Sequence, residues 1–119
     1  RIVVTSGIPS ENVDKRLVAI SSAVEDDGTT TRHRFEFDAQ EGSFVGTGDI
    51  FASLLIVWLD ECGGELAAAV GRVIGALQDV IRVTNEISKD HPHPASCPIP
   101  ELRFIEGRQF LLQPSSIIP

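Results

Sequence analysis

A glycine-rich tetrapeptide with a single carboxylate is the part of the sequence best suited to chemistry. Residues 46–49 read Gly-Thr-Gly-Asp, and the apolar run of residues 50–59 follows at once. Glycines before such a run let an anion approach the first backbone N–H groups of a helix, where the peptide dipoles place a partial positive charge. Gly46, Thr47 and Gly48 could therefore hold a phosphate, or the charge that develops during its transfer.

Asp49 is the candidate general base of this segment. In the first turn of the predicted helix its carboxylate would lie beside the anion pocket, where it could accept the proton of a substrate hydroxyl. An anion hole and a base so close together suit the transfer of a phosphoryl group to an alcohol. Aspartate is also common in first turns because it complements the helix dipole, so local chemistry alone leaves a structural role open.

The elements that must position this segment follow from the pattern of apolar residues. Residues 1–5 predict a short, fully buried strand, and residues 16–37 predict a β-hairpin with its turn at an Asp-Gly pair. A helix begins at residues 47–49 and ends at the glycines 63 and 64. Because residues 50–59 are apolar on every side, we expect this helix to be central and buried.

A second helix is predicted over residues 65–88, where apolar side chains recur at steps of three and four. We expect this stripe to pack on the sheet, with a dimer seam as the alternative. It consists of Leu66, Val70, Val73, Leu77, Val80, Thr84 and Ile87.

The last third of the chain is predicted to be less regular. Residues 90–100 contain four prolines and indicate a connector, residues 101–105 predict an edge strand, and the final residues a loose end. The order strand, hairpin, helix, helix, strand is typical of part of an α/β sandwich.

Charge and composition narrow the function. The 119-residue chain has a net charge of −7 and no cluster of Lys and Arg, which argues against a nucleic-acid partner. The apolar run of residues 50–59 is about half the length that a membrane crossing requires. Cys62 and Cys97 lack metal-ligand spacing, and their small number fits a reducing compartment, with a single disulfide between them as the open alternative. We therefore expect a soluble, cytoplasmic protein with no nucleic-acid or membrane partner.

The other residues whose side chains could bind a ligand or metal are expected to have structural roles or to be solvated. His91 and His93 flank prolines in the connector and are expected to be solvated rather than metal ligands. His33 is expected to be structural or exposed, and Trp58 is expected in the core. No metal ligand can be mapped from the sequence.

The tetrapeptide belongs to a longer match. FVGTGDIFASLL, at residues 44–55, resembles the anion-hole segment of pyridoxal kinases in the ribokinase superfamily. Sugar kinases of that superfamily more often have Gly-Ala-Gly-Asp, and the hydroxymethylpyrimidine kinases usually have cysteine in place of Asp49. Phe44, Thr47, Asp49 and Phe51 together favour the vitamin B6 branch.

Two further segments carry the same resemblance. VVTSG, at residues 3–7, resembles the strand of that family that ends in Thr-Ser beside ATP. PELRFIE, at residues 100–106, resembles its Glu-Leu-Arg stretch. Residues 38–43 occupy the place where the family packs a loop over adenine, but they match it poorly. The order and spacing of the matching segments agree with the C-terminal part of the family.

The resemblance implies a role for each matching residue of the tetrapeptide. Asp49 would contact the vitamin and accept the proton of its 5′-hydroxymethyl group. Gly46, Thr47 and Gly48 would form the anion hole, and Gly46 and Thr47 would also contact ATP.

Other implied contacts concern the nucleotide. Thr5 and Ser6 would lie along the phosphates or ribose of ATP, although an ordinary strand end followed by a turn is an open alternative. The family binds Mg²⁺ through the nucleotide and often a monovalent cation such as K⁺.

The resemblance also implies an α/β fold, the ribokinase-like three-layer sandwich. Residues 1–119 would be the C-terminal part of a single kinase domain, about a third to a half of a homodimeric enzyme. The chain contains no methionine and opens in what resembles the middle of a strand. The family's vitamin-binding residues lie mostly in its N-terminal half and have no counterpart here, so we expect the isolated chain to be inactive.

The function expected from these observations is ATP-dependent phosphorylation of the 5′-hydroxyl of pyridoxal, pyridoxine or pyridoxamine. One alternative is a kinase of another small alcohol, such as a sugar or nucleoside. The other is a truncated product that binds nucleotide weakly, or only dimerises with a complete subunit, without catalysis.

Overall fold

The architecture is an antiparallel sheet covered by two helices. The computed structural model describes residues 1–5, 16–90 and 101–119. In these ranges the strands are β1 (Ile2–Val4), β2 (Arg16–Val24) and β3 (Thr30–Asp38), in the order β1-β2-β3, and the helices are α1 (Thr47–Glu61), α2 (Leu66–Asp90) and α3 (Arg108–Leu112). The long helix α2 packs against both α1 and β2.

The predicted hairpin is confirmed. β2 and β3 pair with Ala19 opposite Phe35, and Phe35 is fully buried beneath α2. At the turn the backbone N–H and hydroxyl of Thr29 donate to Asp27 Oδ1, at 2.8 and 2.6 Å. The Thr29 side-chain hydrogen bond, followed by the backbone one, keeps the pKa of the Asp27 carboxyl below its usual value.

The predicted apolar stripe of α2 is confirmed, and the helix packs against both the sheet and α1. Val70 and Ile74 pack with Ala19 and Phe35 of the sheet. Another part of the helix surface contacts α1, with Val73 against Trp58. This double contact explains why the buried surface of α2 is wider than a single stripe. Its stripe members are buried as far as Thr84, and Ile87 is half-buried.

The prediction that α1 is buried on all sides is wrong for the described chain. Trp58 is buried against α2, and the Arg72 guanidinium lies 4.8 Å from the centre of its ring. On the outward side, Ile56 and Val57 are 74% and 55% exposed. The helix is apolar all round, but the described residues cover only one of its sides.

β1 is likewise less buried than predicted. It lies at the edge of the sheet and pairs with β2 alone among the described strands. Ile2 is 66% exposed and Val4 41% exposed. A β-branched run predicts the strand itself, but its burial depends on what lies beyond the edge.

Residues 101–105 do not form the expected edge strand. The backbone N–H of Arg103 donates to Thr84 Oγ1 of α2 at 2.9 Å, and Leu102 is buried. A tight turn follows, in which Gly107 N–H donates to the Arg103 carbonyl at 2.9 Å. The segment docks on α2 instead of the sheet because a buried hydroxyl of the helix supplies its hydrogen bond.

The C-terminal end is held on α2 and is not loose as predicted. Ile117 N–H donates to the Gly71 carbonyl at 3.1 Å, and Ser115 Oγ donates to Asp79 Oδ2 at 2.8 Å. A methyl group on Gly71 or Gly75 would overlap the carbonyl oxygen of Ile117 or Ser115, respectively. The two helix glycines therefore form the groove that accepts residues 115–117.

Candidate active site

The start of α1 has a backbone geometry that only glycine adopts readily. Gly46 precedes the helix with φ +85°, in the left-handed region, and its carbonyl accepts the N–H of Ile50 at 3.1 Å. No side chain of the described residues caps this end of the helix. The N–H groups at the first turn of α1 are therefore available to an anion.

Thr47 and Gly48 open into a cleft of about 390 Å³ between the sheet, α1 and α2. Thr5, which follows β1, lines the same cleft. The structure therefore brings together three of the residues predicted to contact ATP or its transferring phosphate. Most of the walls are apolar: Leu17, Ala19, Phe37, Phe44, Phe51, Ile74, Leu77 and Ile81.

Gly46 and Asp49 lie on either side of Thr47 and Gly48 in the chain. Asp49 is exposed, and its backbone carbonyl accepts a hydrogen bond from Ser53 Oγ at 2.8 Å. Within the described part of the chain its carboxylate has no ion-pair or hydrogen-bond partner. Neither Gly46 nor Asp49 is among the residues that line the cleft, so the structure brings together only part of the predicted tetrapeptide site.

Several predicted residues lie outside the part of the chain that the structure describes. These are Ser6, His91, His93 and Cys97. Their predicted roles or environments stay predictions. Cys62 is a half-buried free thiol at the end of α1.

The loop between β3 and α1 contributes more to the cleft than its sequence indicates. Gln40 Nε2 donates to Gln78 Oε1 at 2.8 Å, and Asn85 Nδ2 donates to the Glu41 carbonyl at 3.0 Å. Gly42, at φ +104°, lies beneath the ring of Phe44. These contacts hold the loop against α2 as one wall of the cleft.

Sequence reasoning missed this wall because the hydrogen bonds join residues 38 and 44 positions apart. The loop itself carries no matching motif. The sequence features that could have indicated this wall are Gly42 and the polar residues of α2 that lie beside its apolar stripe.

A second cavity, of about 410 Å³, lies at the other end of the sheet beside the α1–α2 connection. Its lining includes Arg1, His33 and Glu65, together with Ser21, whose hydroxyl is buried without a hydrogen-bond partner. It contains none of the predicted site residues. The cleft at the start of α1 is therefore the candidate active site.

Among the described residues, neither a metal-ligand cluster nor a membrane-spanning helix is found. No group of three His, Cys, Asp or Glu side chains lies close enough to hold a metal ion. No helix within residues 1–5, 16–90 and 101–119 is both long and apolar enough to cross a bilayer.

Curated proteins named pyridoxal kinase are similar to nearly the whole of this chain. A Caenorhabditis elegans protein provisionally named pyridoxal kinase is 40% identical over 113 residues, which is 95% of this chain and 34% of the relative. The pyridoxal kinase of Sus scrofa is 28% identical over 98% of this chain and 38% of its own length. No protein-family model matches the chain.

Solved structures agree with these relatives. Pyridoxal kinase from Leishmania donovani, in complex with ADP and pyridoxamine, superposes with a TM-score of 0.74 at 30% identity, over 97% of this chain and 36% of that one. The Trypanosoma brucei pyridoxal kinase gives a TM-score of 0.68 at 25% identity. The chain thus spans about a third of the length of the proteins that it matches.

Proposed function

The chain is homologous to pyridoxal kinases over nearly its whole length and has part of their ribokinase-like α/β fold, and from this we propose that it is the phosphate-binding and catalytic segment of such an enzyme. The reaction would transfer the γ-phosphoryl group of ATP to the 5′-hydroxyl of pyridoxal, pyridoxine or pyridoxamine. Residues 1–119 would form part of a single kinase domain.

The observation that carries this proposal is the open start of α1. Gly46 in the left-handed conformation and the absence of a side-chain cap among the described residues leave the start of α1 uncapped, beside a cleft that Thr47 and Gly48 line. A fixed cluster of N–H donors at a helix start stabilises the charge that develops on a transferring phosphoryl group. The Leishmania relative was solved in complex with ADP, which supports a nucleotide site in the proposed enzyme.

Asp49 is assigned the role of general base. Its exposed carboxylate would accept the 5′-hydroxyl proton as that oxygen bonds to the γ-phosphorus. The bond from the γ-phosphorus to the bridging oxygen breaks, and ADP leaves. The backbone N–H groups of Gly46, Thr47 and Gly48 would hold the phosphoryl oxygens during the step.

Thr5, and Ser6 next to it, would contact the phosphates or ribose of ATP, since Thr5 lines the cleft with Thr47. Mg²⁺ would accompany the nucleotide phosphates, and a monovalent cation such as K⁺ would bind near them. The described residues include no group of three His, Cys, Asp or Glu side chains that could hold a metal ion, and no step is assigned to a metal. A cytoplasmic homodimer is the assembly that we propose.

The proposal is tested with the intact gene product that contains this chain. Purified protein is given ATP with pyridoxal, pyridoxine or pyridoxamine, and in parallel with ribose or adenosine, and the products are identified by mass spectrometry. We expect 5′-phosphates of the B6 vitamers to form fastest. Preference for ribose or adenosine would identify a sister kinase, and no phosphorylation of any acceptor would overturn the proposal.

A further inference from the structure

The cavity beside the α1–α2 connection lies outside the candidate active site and has a volume of about 410 Å³. One wall is formed by the sheet, where Ser21 of β2 and His33 of β3 stand opposite each other in the hairpin register. The facing wall is formed by Gly63, Gly64 and the first residues of α2. Pockets that bind small molecules typically measure about 300–1,000 Å³, so this cavity has room for a small organic ligand.

One buried hydroxyl in the cavity has no hydrogen-bond partner. Ser21 lies between Ala19 and Ala23 on the face of β2 that packs beneath α2, and it is 1% exposed. Its Oγ makes no hydrogen bond to the described residues. A buried polar group without a partner is costly, and folded proteins satisfy such groups with water or a ligand. The Ser21 hydroxyl is therefore available to a molecule that occupies the cavity.

The start of α2 supplies further donors to the same cavity. The N–H of Ala69 donates to the Glu65 carbonyl at 3.1 Å, the bond with which the helical ladder begins. Leu66 and Ala67 precede this bond and line the cavity, so their N–H groups have no intrahelical acceptor. The helix dipole adds partial positive charge at this end. The inner part of the cavity therefore favours a ligand group that accepts hydrogen bonds, such as a carboxylate.

The rim of the cavity has the opposite chemistry. Glu25, Asp26 and Glu65 line it with exposed carboxylates, against the single guanidinium of Arg1. Glu25 accepts the hydroxyl of Thr31 at 2.6 Å, whereas the carboxylates of Asp26 and Glu65 have no partner within the described ranges. These side chains do not form a group that could hold a metal ion. They suit an organic ammonium group, which carboxylates bind through charge-assisted hydrogen bonds.

We propose that this cavity binds a small zwitterion of the amino-acid type. The carboxylate of the ligand accepts hydrogen bonds from Ser21 Oγ and the first N–H groups of α2, and its ammonium group donates to Glu65 at the rim. A simple anion would leave the rim carboxylates without a partner, and a simple cation would leave the Ser21 hydroxyl without one. The inference does not rest on the proposed kinase function, because none of the residues involved lines the cleft at the start of α1.

The test measures binding of three probes to the intact gene product by isothermal titration calorimetry, at constant ionic strength and without nucleotide. L-alanine is the zwitterion, propionate lacks its ammonium group, and ethylammonium lacks its carboxylate. We expect L-alanine to bind more tightly than either partial probe by about tenfold or more, the scale of one charge-assisted contact. The inference is overturned if L-alanine does not bind, as when another segment of the intact protein fills the cavity, or if a partial probe binds equally well.

Ser21→Ala tests the carboxylate end of the ligand. Affinity for L-alanine and for propionate should fall by about tenfold, since the variant removes a donor to a charged group, while affinity for ethylammonium stays the same. Ser22→Ala is the matched control, because Ser22 is the next residue of β2 and does not line the cavity. Thermal unfolding of both variants checks that each is folded. L-alanine binding that Ser21→Ala leaves intact would place the ligand elsewhere and refute the site.

Glu65→Gln tests the ammonium end. It should weaken L-alanine binding by about tenfold and leave propionate binding unchanged or tighter, because it removes a negative charge from the rim. Glu61→Gln, at an exposed position of α1 outside the cavity lining, is the control for a change in net charge. An equal effect of the two variants on L-alanine would refute the contact with Glu65. Since no phosphoryl transfer is measured, these results are independent of whether the protein is a kinase.

Discussion

At the scale of single residues, the proposed site depends on the lack of a side-chain cap at the start of α1. Gly46 has no side chain and adopts φ +85°, and no described side chain caps the helix. Asp49 is exposed, and its carboxylate has no hydrogen-bond or ion-pair partner among the described residues. The carboxylate makes no capping hydrogen bond, but its place in the first turn still complements the helix dipole, so both roles stay predictions.

Replacement of Asp49 by Asn tests the general base in the intact gene product. We expect turnover to fall by about a hundredfold or more, with little change in ATP affinity, because the amide cannot accept the hydroxyl proton. Steady-state kinetics and nucleotide binding measure the two quantities separately. Weakened ATP binding with intact turnover would indicate a structural role.

Gly48→Ala, at the residue before Asp49, should affect turnover and stability in opposite ways. A Cβ on Gly48 would have no atom within 4 Å, and alanine favours a helix over glycine by up to about 1 kcal/mol. We expect the midpoint of urea unfolding to stay the same or rise. Turnover should fall by about a hundredfold, since the methyl group displaces the phosphoryl group from the amides.

Ser53→Ala, one turn further along the same helix and outside the cleft, is the control for that variant. It should alter turnover little. Wild-type turnover in Gly48→Ala would place the transferring phosphate elsewhere.

At the scale of elements, sequence patterns correctly predicted those helices and strands whose formation depends on interactions within one segment. The hairpin and the ends of α1 and α2 agree with the structure because alternation, apolar periodicity and glycine stops act within one segment. The uncapped start of α1 could be predicted for the same reason, since a glycine-rich stretch before a helix leaves the first N–H groups without a side-chain cap, and the anion hole itself stays a prediction. Thr5 became a candidate through family resemblance.

Contacts between distant segments could not be predicted in this way. Residues 101–105 have strand-forming side chains, but their hydrogen bond goes to Thr84 of α2. The C-terminal residues cross α2 because Gly71 and Gly75 leave room, and the pairing of Gln40 with Gln78 depends on the placement of a loop. In each case the partner is far away in sequence, and no periodicity encodes it.

Gly75→Ala tests the groove on α2. Its methyl group would overlap the Ser115 carbonyl oxygen, so residues 115–117 must move away from the helix. The cost of such crowding is typically about 1–3 kcal/mol, which exceeds the gain in helix propensity. Urea unfolding should report a lower midpoint, in contrast to Gly48→Ala, where the same substitution meets open space. An equal response of the two variants would show that residues 115–117 do not rest on this helix.

At the scale of the whole molecule, one side of the described chain has a closed apolar core and the other exposes apolar residues to solvent. The surface between α2 and the sheet is closed by Phe35, Val70 and Ile74. The edge strand β1 and the outward face of α1 are apolar and exposed, with Ile2 and Ile56 at 66% and 74%. The relatives, about three times as long, have further chain that could cover such surfaces.

The isolated 119-residue chain is therefore expected to have no kinase activity. It carries the proposed anion hole and base but spans only 34% of the nematode relative, and the resemblance places most vitamin-binding residues in the remainder. Purified chain should give no pyridoxal 5′-phosphate with ATP and pyridoxal, whereas the intact gene product should. Phosphate transfer by the 119 residues alone would refute the idea that the pocket is incomplete.

The uncovered face of α1 also bears on how long the chain would survive alone in a cell. Water-facing isoleucine and valine on a helix are the surface that chaperones retain and that marks a polypeptide for degradation. Ile56 and Val57 would give the separate chain such a surface, and a covering segment would remove it. The abundance of this part of the protein would then depend on its being joined to, or assembled with, the polypeptide that completes it.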